Sequence, residues 1–140
     1  MAEVPHSHAV RARPLSPFTT IYRWTPTMLS SITHRVTGCA MAAGTVLIAW
    51  WLIAAASGPE SYAPFVAIAS NPISQIILFG FTWAMSFHLL SGTRHLAWDL
   101  GYGFGVRFSN TLSVVIFVLS IVIAVGVFAY AHAQQLGMAL

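Results

Sequence analysis

Three long apolar stretches, separated by short segments rich in Pro, Gly, Ser and Asn, set the pattern of this chain. The first, Val36 to Ala56, runs 21 residues without a charge. That length crosses a hydrocarbon core of about 30 Å at about 1.5 Å per residue. Its helix is expected to begin near Ser30, after Pro26, and to stop before Gly58-Pro59. Within it Ala40 and Gly44 form a small-xxx-small pair that lets a second helix approach. Glu60 to Ser70 reads as a short connector. Asn71-Pro72 then places a capping side chain before a proline in the first helical turn, and a second helix is expected from about Pro72 to Leu100. This helix outruns the bilayer, so Arg94, His95, Trp98 and Asp99 are expected at headgroup level. Gly101 to Gly105 is a glycine-rich turn, and Ser109-Asn110 is expected to cap a third apolar helix ending near Gln134.

The pattern predicts an all-α membrane protein with three transmembrane helices, at about 30–57, 72–100 and 109–134. Residues 1–27 form a cytoplasmic or interfacial segment and 28–140 the membrane anchor. Composition agrees: 57% of the 140 residues are hydrophobic, 6% are charged and none is Lys, too few charges to cover a solvated surface. Charge adds an orientation. Arg11, Arg13, Arg23, Arg35, Arg94 and Arg107 all fall on one side of the predicted bundle and Glu60 on the other. This bias predicts a cytoplasmic amino terminus and a periplasmic carboxy terminus. No basic cluster is dense enough for nucleic acid, and the single Cys39 has no intrachain partner for a disulfide. Residues 1–27 are polar and proline-punctuated, without the apolar core of a secretory signal. There Phe18, Ile21, Tyr22 and Trp24 interleave with Arg23, which suits a headgroup layer or a partner surface; a floppy tail has the same composition.

Two polar clusters stand out. In Phe87 to Gly101, His88 and His95 are seven residues apart on one helical face, with Ser91 and Gly92 one turn from His88 and Asp99 one turn beyond His95. An ionisable side chain at membrane depth is costly and normally meets a partner or cofactor; the alternative is a packing histidine bonded to a neighbouring carbonyl. In Ser30 to Gly38, Ser31 and Arg35 share a face and can contact one polar ligand, while His34 points about 100° away. Here the alternative is that Arg35 snorkels to lipid phosphates and Ser31 caps the helix. Both clusters belong to the same end of the bundle. A positive rim over a buried imidazole suits a haem, the imidazole for iron and Arg or His for the propionates. One deep histidine supplies one axial ligand, so a second would come from another chain. His132, at the far end, reads as a solvated interfacial residue. The Gly-x-Gly-x-Gly turn lacks the strand and spacing of a nucleotide loop.

The segments Arg13-Pro-Leu-Ser-Pro-Phe-Thr-Thr-Ile-Tyr22, Ser31-Ile-Thr-His-Arg-Val-Thr-Gly38 and His88-Leu-Leu-Ser-Gly-Thr-Arg-His-Leu-Ala-Trp-Asp-Leu-Gly101 resemble, in order, the signatures of the cytochrome b anchor subunits of succinate dehydrogenase, respiratory complex II. Phe18 stands where a histidine is common in that family. The first motif is closest to the mitochondrial-type branch, but no transit peptide precedes it, which favours a bacterial inner-membrane protein. The resemblance implies that His88 is the axial ligand to the iron of haem b, shared with a second small membrane anchor. It implies that His34, Arg35 and His95 lie near the haem, and that Ser31 and Arg35 contact ubiquinone. Arg94 and Asp99 would belong to a proton or propionate network.

The partners so implied are a flavoprotein that oxidises succinate, an iron–sulfur subunit that passes electrons to ubiquinone, the second anchor and the bilayer. With one Cys and no dinucleotide fingerprint, the chain has no catalytic residue for succinate oxidation itself. Its expected work lies in the tricarboxylic acid cycle and aerobic electron transport: anchoring, haem binding and building part of the quinone pocket. Two alternatives remain, the anchor of a quinol:fumarate reductase and a haem-free scaffold of another membrane complex.

Overall fold

The computed structural model describes residues 14–138, and among them it is helical with no strand. After a single 3-10 turn at Pro17–Thr20 come α1 (Pro26–Ala56), α2 (Pro59–Ala69), α3 (Pro72–Asp99) and α4 (Val106–Met138). Helices α1, α3 and α4 are long and apolar enough to cross a membrane. Where no water can satisfy backbone groups, a continuous helix is one of two spanning structures available. The expected three-helix membrane architecture is present.

The helix ends follow local chemistry. The Thr25 hydroxyl accepts from Met28 N at 3.3 Å with Pro26 at the first position, so α1 starts a turn earlier than Ser30. Asn71 accepts from Ile73 N at 3.0 Å and opens α3 as expected. Gly101, at φ 86°, closes α3: its N–H bonds the Trp98 carbonyl and Tyr102 N–H bonds the Ala97 carbonyl. This left-handed close is cheap for glycine. Two expectations are corrected. The connector after α1 is helical, because Gly58 at φ 96° turns the chain and Pro59 presets the first turn of α2, with Gln75 Nε2 donating to the Ala69 carbonyl at its end. Helix α4 begins at Val106, so Ser109 and Asn110 lie inside it. Ser109 N–H already bonds the Gly105 carbonyl, and the Asn110 carboxamide is spent on α1.

Packing is inverted relative to a water-soluble bundle. The seams carry small and hydroxylated residues: Ser30, Thr37 and Gly44 at seven-residue spacing on α1, and Ser109, Ser113 and Ser120 on α4. Large apolar side chains such as Val46, Ile76, Leu89 and Val118 face outward, as a lipid environment requires. Gly44 is where a close approach is needed, since a Cβ there would overlap the Phe81 ring; Ala40, its expected partner in the motif, is exposed. Phe87, fully buried, anchors the centre between Trp83 and Phe117, and Trp83 Nε1 donates to Ser120 Oγ at 3.1 Å.

Candidate functional site

Helices α1 and α3 bring three imidazoles into one stack. The His34 ring lies 3.9 Å from His88 at 18° between planes, and 4.9 Å from His95 at 20°. His88 and His95 sit two turns apart on α3, and His34 fits between them from α1. The rings lie face to face, so their nitrogens do not converge. Among the described residues no group of three His, Cys, Asp or Glu side chains can hold a metal ion.

The tautomer of His88 is set by its neighbour. Its Nδ1 lies 3.1 Å from the His34 carbonyl oxygen, which can only accept, so Nδ1 carries the proton; Thr37 Oγ1 lies 3.3 Å from the same nitrogen. In the neutral ring the lone pair is then on Nε2, the arrangement of a metal-binding imidazole whose other nitrogen donates to a carbonyl. His95 is held likewise, its Nδ1 2.7 Å from the Ser91 carbonyl. Gly38 makes room on α1: a Cβ there would stand 3.0 Å from His88 Cε1. His34 Nε2 and Ser91 Oγ are buried without a hydrogen-bond partner among the described residues.

Beside the stack, Arg94, the residue before His95, is 3% exposed. Its Nη2 donates to Ser30 Oγ on α1 at 2.9 Å, its Nη1 donates to Ser113 Oγ on α4, and its guanidinium lies 4.7 Å from the centre of the Trp98 ring. Beside it Thr27 Oγ1 donates to Asn110 Oδ1 at 2.7 Å, joining α1 to α4. Three helices are thus tied at one end by polar side chains.

The two clusters expected from sequence meet, through residues not all foreseen. His34, His88 and His95 come together. Ser31 is half-buried and Arg35 exposed on α1. Arg94 turns into the bundle, whereas Asp99 is exposed at the end of α3. Ser30, Thr37, Gly38, Asn110 and Ser113 were not singled out as partners of these groups. For Ser30 and Thr37 the seven-residue recurrence of small residues on α1 was the available signal.

A family model described as the succinate dehydrogenase/fumarate reductase transmembrane subunit matches residues 9–128. The chain belongs to this family. Among its relatives is the succinate dehydrogenase cytochrome b556 subunit of Paracoccus denitrificans, 42% identical over 113 residues, covering 81% of this chain and 87% of that protein. The protein of the same name from Rickettsia typhi is 37% identical over 79% of this chain and 86% of its own length. The mitochondrial succinate dehydrogenase cytochrome b560 subunit of Sus scrofa is 36% identical over 84% of this chain and 70% of its own. All three segments that carry the resemblance lie within the matched region. As a transmembrane subunit of this family, the chain uses α1, α3 and α4 as its candidate spans.

Proposed function

We propose that this chain is the cytochrome b membrane anchor of a succinate:ubiquinone oxidoreductase in a bacterial inner membrane, with its amino terminus in the cytoplasm. It would assemble with a flavoprotein, an iron–sulfur subunit and a second small anchor. The observation that carries the reading is His88: an imidazole in a spanning helix, with Nδ1–H committed to the His34 carbonyl and Nε2 holding the lone pair. The names of the relatives, cytochrome b subunits, agree with that donor. They also favour succinate oxidation over the fumarate reductase direction that the family description includes.

The residues present fit a haem b. His88 Nε2 is the ligand this chain would give the iron, Gly38 leaves the space beside the imidazole, and His34 Nε2 is a buried nitrogen in want of a polar partner such as a propionate. Arg35 and His95 would complete the propionate side. When bound, the haem supplies a one-electron store beside the quinone path. The second axial ligand would come from the other anchor.

Ser31 and Arg35 would form this chain's share of the ubiquinone site. Quinone reduction takes up two electrons and two protons, so negative charge develops on the head group before protonation. The Arg35 guanidinium stabilises that charge, and the Ser31 hydroxyl donates to a carbonyl oxygen of the ring. The isoprenoid tail would remain in lipid, to which this face of α1 is open. Asp99, exposed where α3 ends, is the candidate for proton delivery. Arg94 would serve the same end of the helix from inside.

The test is a reduced-minus-oxidised spectrum of the complex purified through a tag on this chain. A b-type band is expected in the wild type and is expected to be lost or altered in His88→Leu, which removes the donor without adding a polar group to the bilayer. His132→Leu, at the far end of α4, is expected to leave the band unchanged. A His88→Leu complex with an unaltered band would refute the ligand assignment.

A further inference from the structure

Among the described residues Arg94 is the buried charged side chain, and its partners are two serine hydroxyls and an indole ring instead of a carboxylate. Among the described residues its Nε has no hydrogen-bond partner. Asp99 is exposed, and Glu60 belongs to α2 at the other end of the bundle. A cation held this way is costly to desolvate. Arginine near a helix end normally escapes the cost by snorkelling to the interface, and α3 ends five residues later at Asp99. Arg94 instead turns inward and bridges α1 and α4.

We propose that Arg94 is a positioning residue for the His88 site, setting α1 against α3 through Ser30 and keeping an uncompensated positive charge next to that site. This rests on the haem reading above. The geometry is sequential. Ser30 lies one turn before His34 on α1, and Arg94 lies two turns beyond Phe87 and His88 on α3, so the Arg94–Ser30 bond and the His34–His88 contact belong to one seam. A displacement of α1 along that seam moves the His34 carbonyl, and with it the His88 proton, ring plane and free nitrogen. Ser113 holds the same guanidinium from α4, so the fork cannot follow α1 alone. The charge acts separately from the fork. In a low-dielectric interior a fixed positive charge stabilises the reduced, more negative form of a neighbouring redox group and raises its potential.

The two roles are separable in the intact complex. Arg94→Leu is expected to shift the haem midpoint potential downward and to change the low-spin ferric resonance. Arg94→Lys keeps the charge and loses the planar two-point fork, so its potential is expected to stay near wild type while its resonance changes. Ser30→Ala keeps Arg94 whole and is expected to reproduce the changed resonance with little change in potential. An Arg94→Leu complex with wild-type potential and resonance would overturn the proposal. Should that variant fail to assemble, unaltered resonances in both Arg94→Lys and Ser30→Ala would do so. A readout independent of haem uses a Thr27→Cys/Asn110→Cys pair, whose native side chains bond at 2.7 Å, in a Cys39→Ala background. Oxidative crosslinking between α1 and α4 is expected to fall several-fold when Arg94→Leu is added, and an unchanged yield counts against the clamp. A wild-type complex with no b-type band would sink the haem reading by itself, and the crosslink would then judge the clamp alone.

Discussion

Gly38→Ala tests how tightly the fold sets His88. The added methyl group would stand 3.0 Å from His88 Cε1, closer than ordinary van der Waals contact. Gly38 and His34 lie one turn apart on α1, so the ring can relieve the contact only by retreating from both. A retreat of about 0.4 Å brings the pair to the near limit of ordinary van der Waals contact. It also stretches the bond from Nδ1 to the His34 carbonyl from 3.1 Å to about 3.5 Å, the outer edge of a useful hydrogen bond. The loss is about 0.5–1.5 kcal/mol, while replacing glycine by alanine inside a helix gains up to about 1 kcal/mol. These terms nearly cancel, so the complex is expected to assemble normally while the orientation and basicity of His88 change. The assay is the optical difference spectrum and low-spin resonance of the purified complex, compared with Gly80→Ala. Gly80 lies on α3 with open space where its Cβ would be, and its substitution is expected to be silent. A Gly38→Ala complex with both signals unchanged, or a Gly80→Ala complex altered to the same degree, would refute the argument.

Ser31→Ala and Arg35→Lys are each expected to impair electron transfer from succinate to quinone at least several-fold, leaving succinate oxidation by an artificial dye acceptor largely intact; equal loss of both activities would indicate failed assembly instead. On topology, reporter fusions at Gly103 are expected to be active in the cytoplasm and fusions after Leu140 outside it, and a cytoplasmic reporter at Leu140 would refute an odd number of spans. Ser109→Ala is expected to weaken the turn before α4 by about 1 kcal/mol, since its hydroxyl donates to the Gly103 carbonyl at 3.0 Å. Thermal unfolding of the detergent-solubilised complex measures this.

The spans were legible because in a bilayer apolar length and secondary structure are nearly the same information. Capping was legible where one side chain acts on its own helix, as at Asn71. It misled where a polar side chain had a tertiary use: Asn110 follows the pattern of a cap yet accepts from Thr27, and α4 begins four residues before it. The helix after Gly58 was missed because two prolines and a serine in 11 residues imitate a loop, although Pro59 at the first position favours a helix. Within the candidate site, the shared face of His88 and His95 follows from a seven-residue spacing. The place of His34 between them depends on how α1 is rotated against α3, which no spacing within one helix determines. Ser30 was overlooked beside Ser31 for the same reason. The two differ by about 100° around α1, and only packing decides which meets the guanidinium of Arg94.

That rotation has a physical origin in the seam itself. Between apolar spans in lipid the hydrophobic effect does not select one helix face over another, so selection falls to close packing and hydrogen bonds. On α1 the face with Ser30, Thr37 and Gly44 has the smallest side chains and therefore permits the nearest approach to α3. The hydroxyls cost little there: Thr37 Oγ1 lies 2.9 Å from the Thr33 carbonyl, and Ser113 Oγ donates to the Ser109 carbonyl at 2.8 Å. Each can still accept from a neighbouring helix, as Ser113 does from Arg94. At the opposite end bulky side chains take over. Trp50, Trp51, Phe65 and Phe81 border an apolar cleft of about 380 Å³ between α1, α2 and α3. Polar side chains therefore tie the bundle where His34, His88 and His95 meet, and aromatic side chains border a cleft at the other end. A site that depends on a few tenths of an ångström at His88 lies at the end where hydrogen bonds join all three spans.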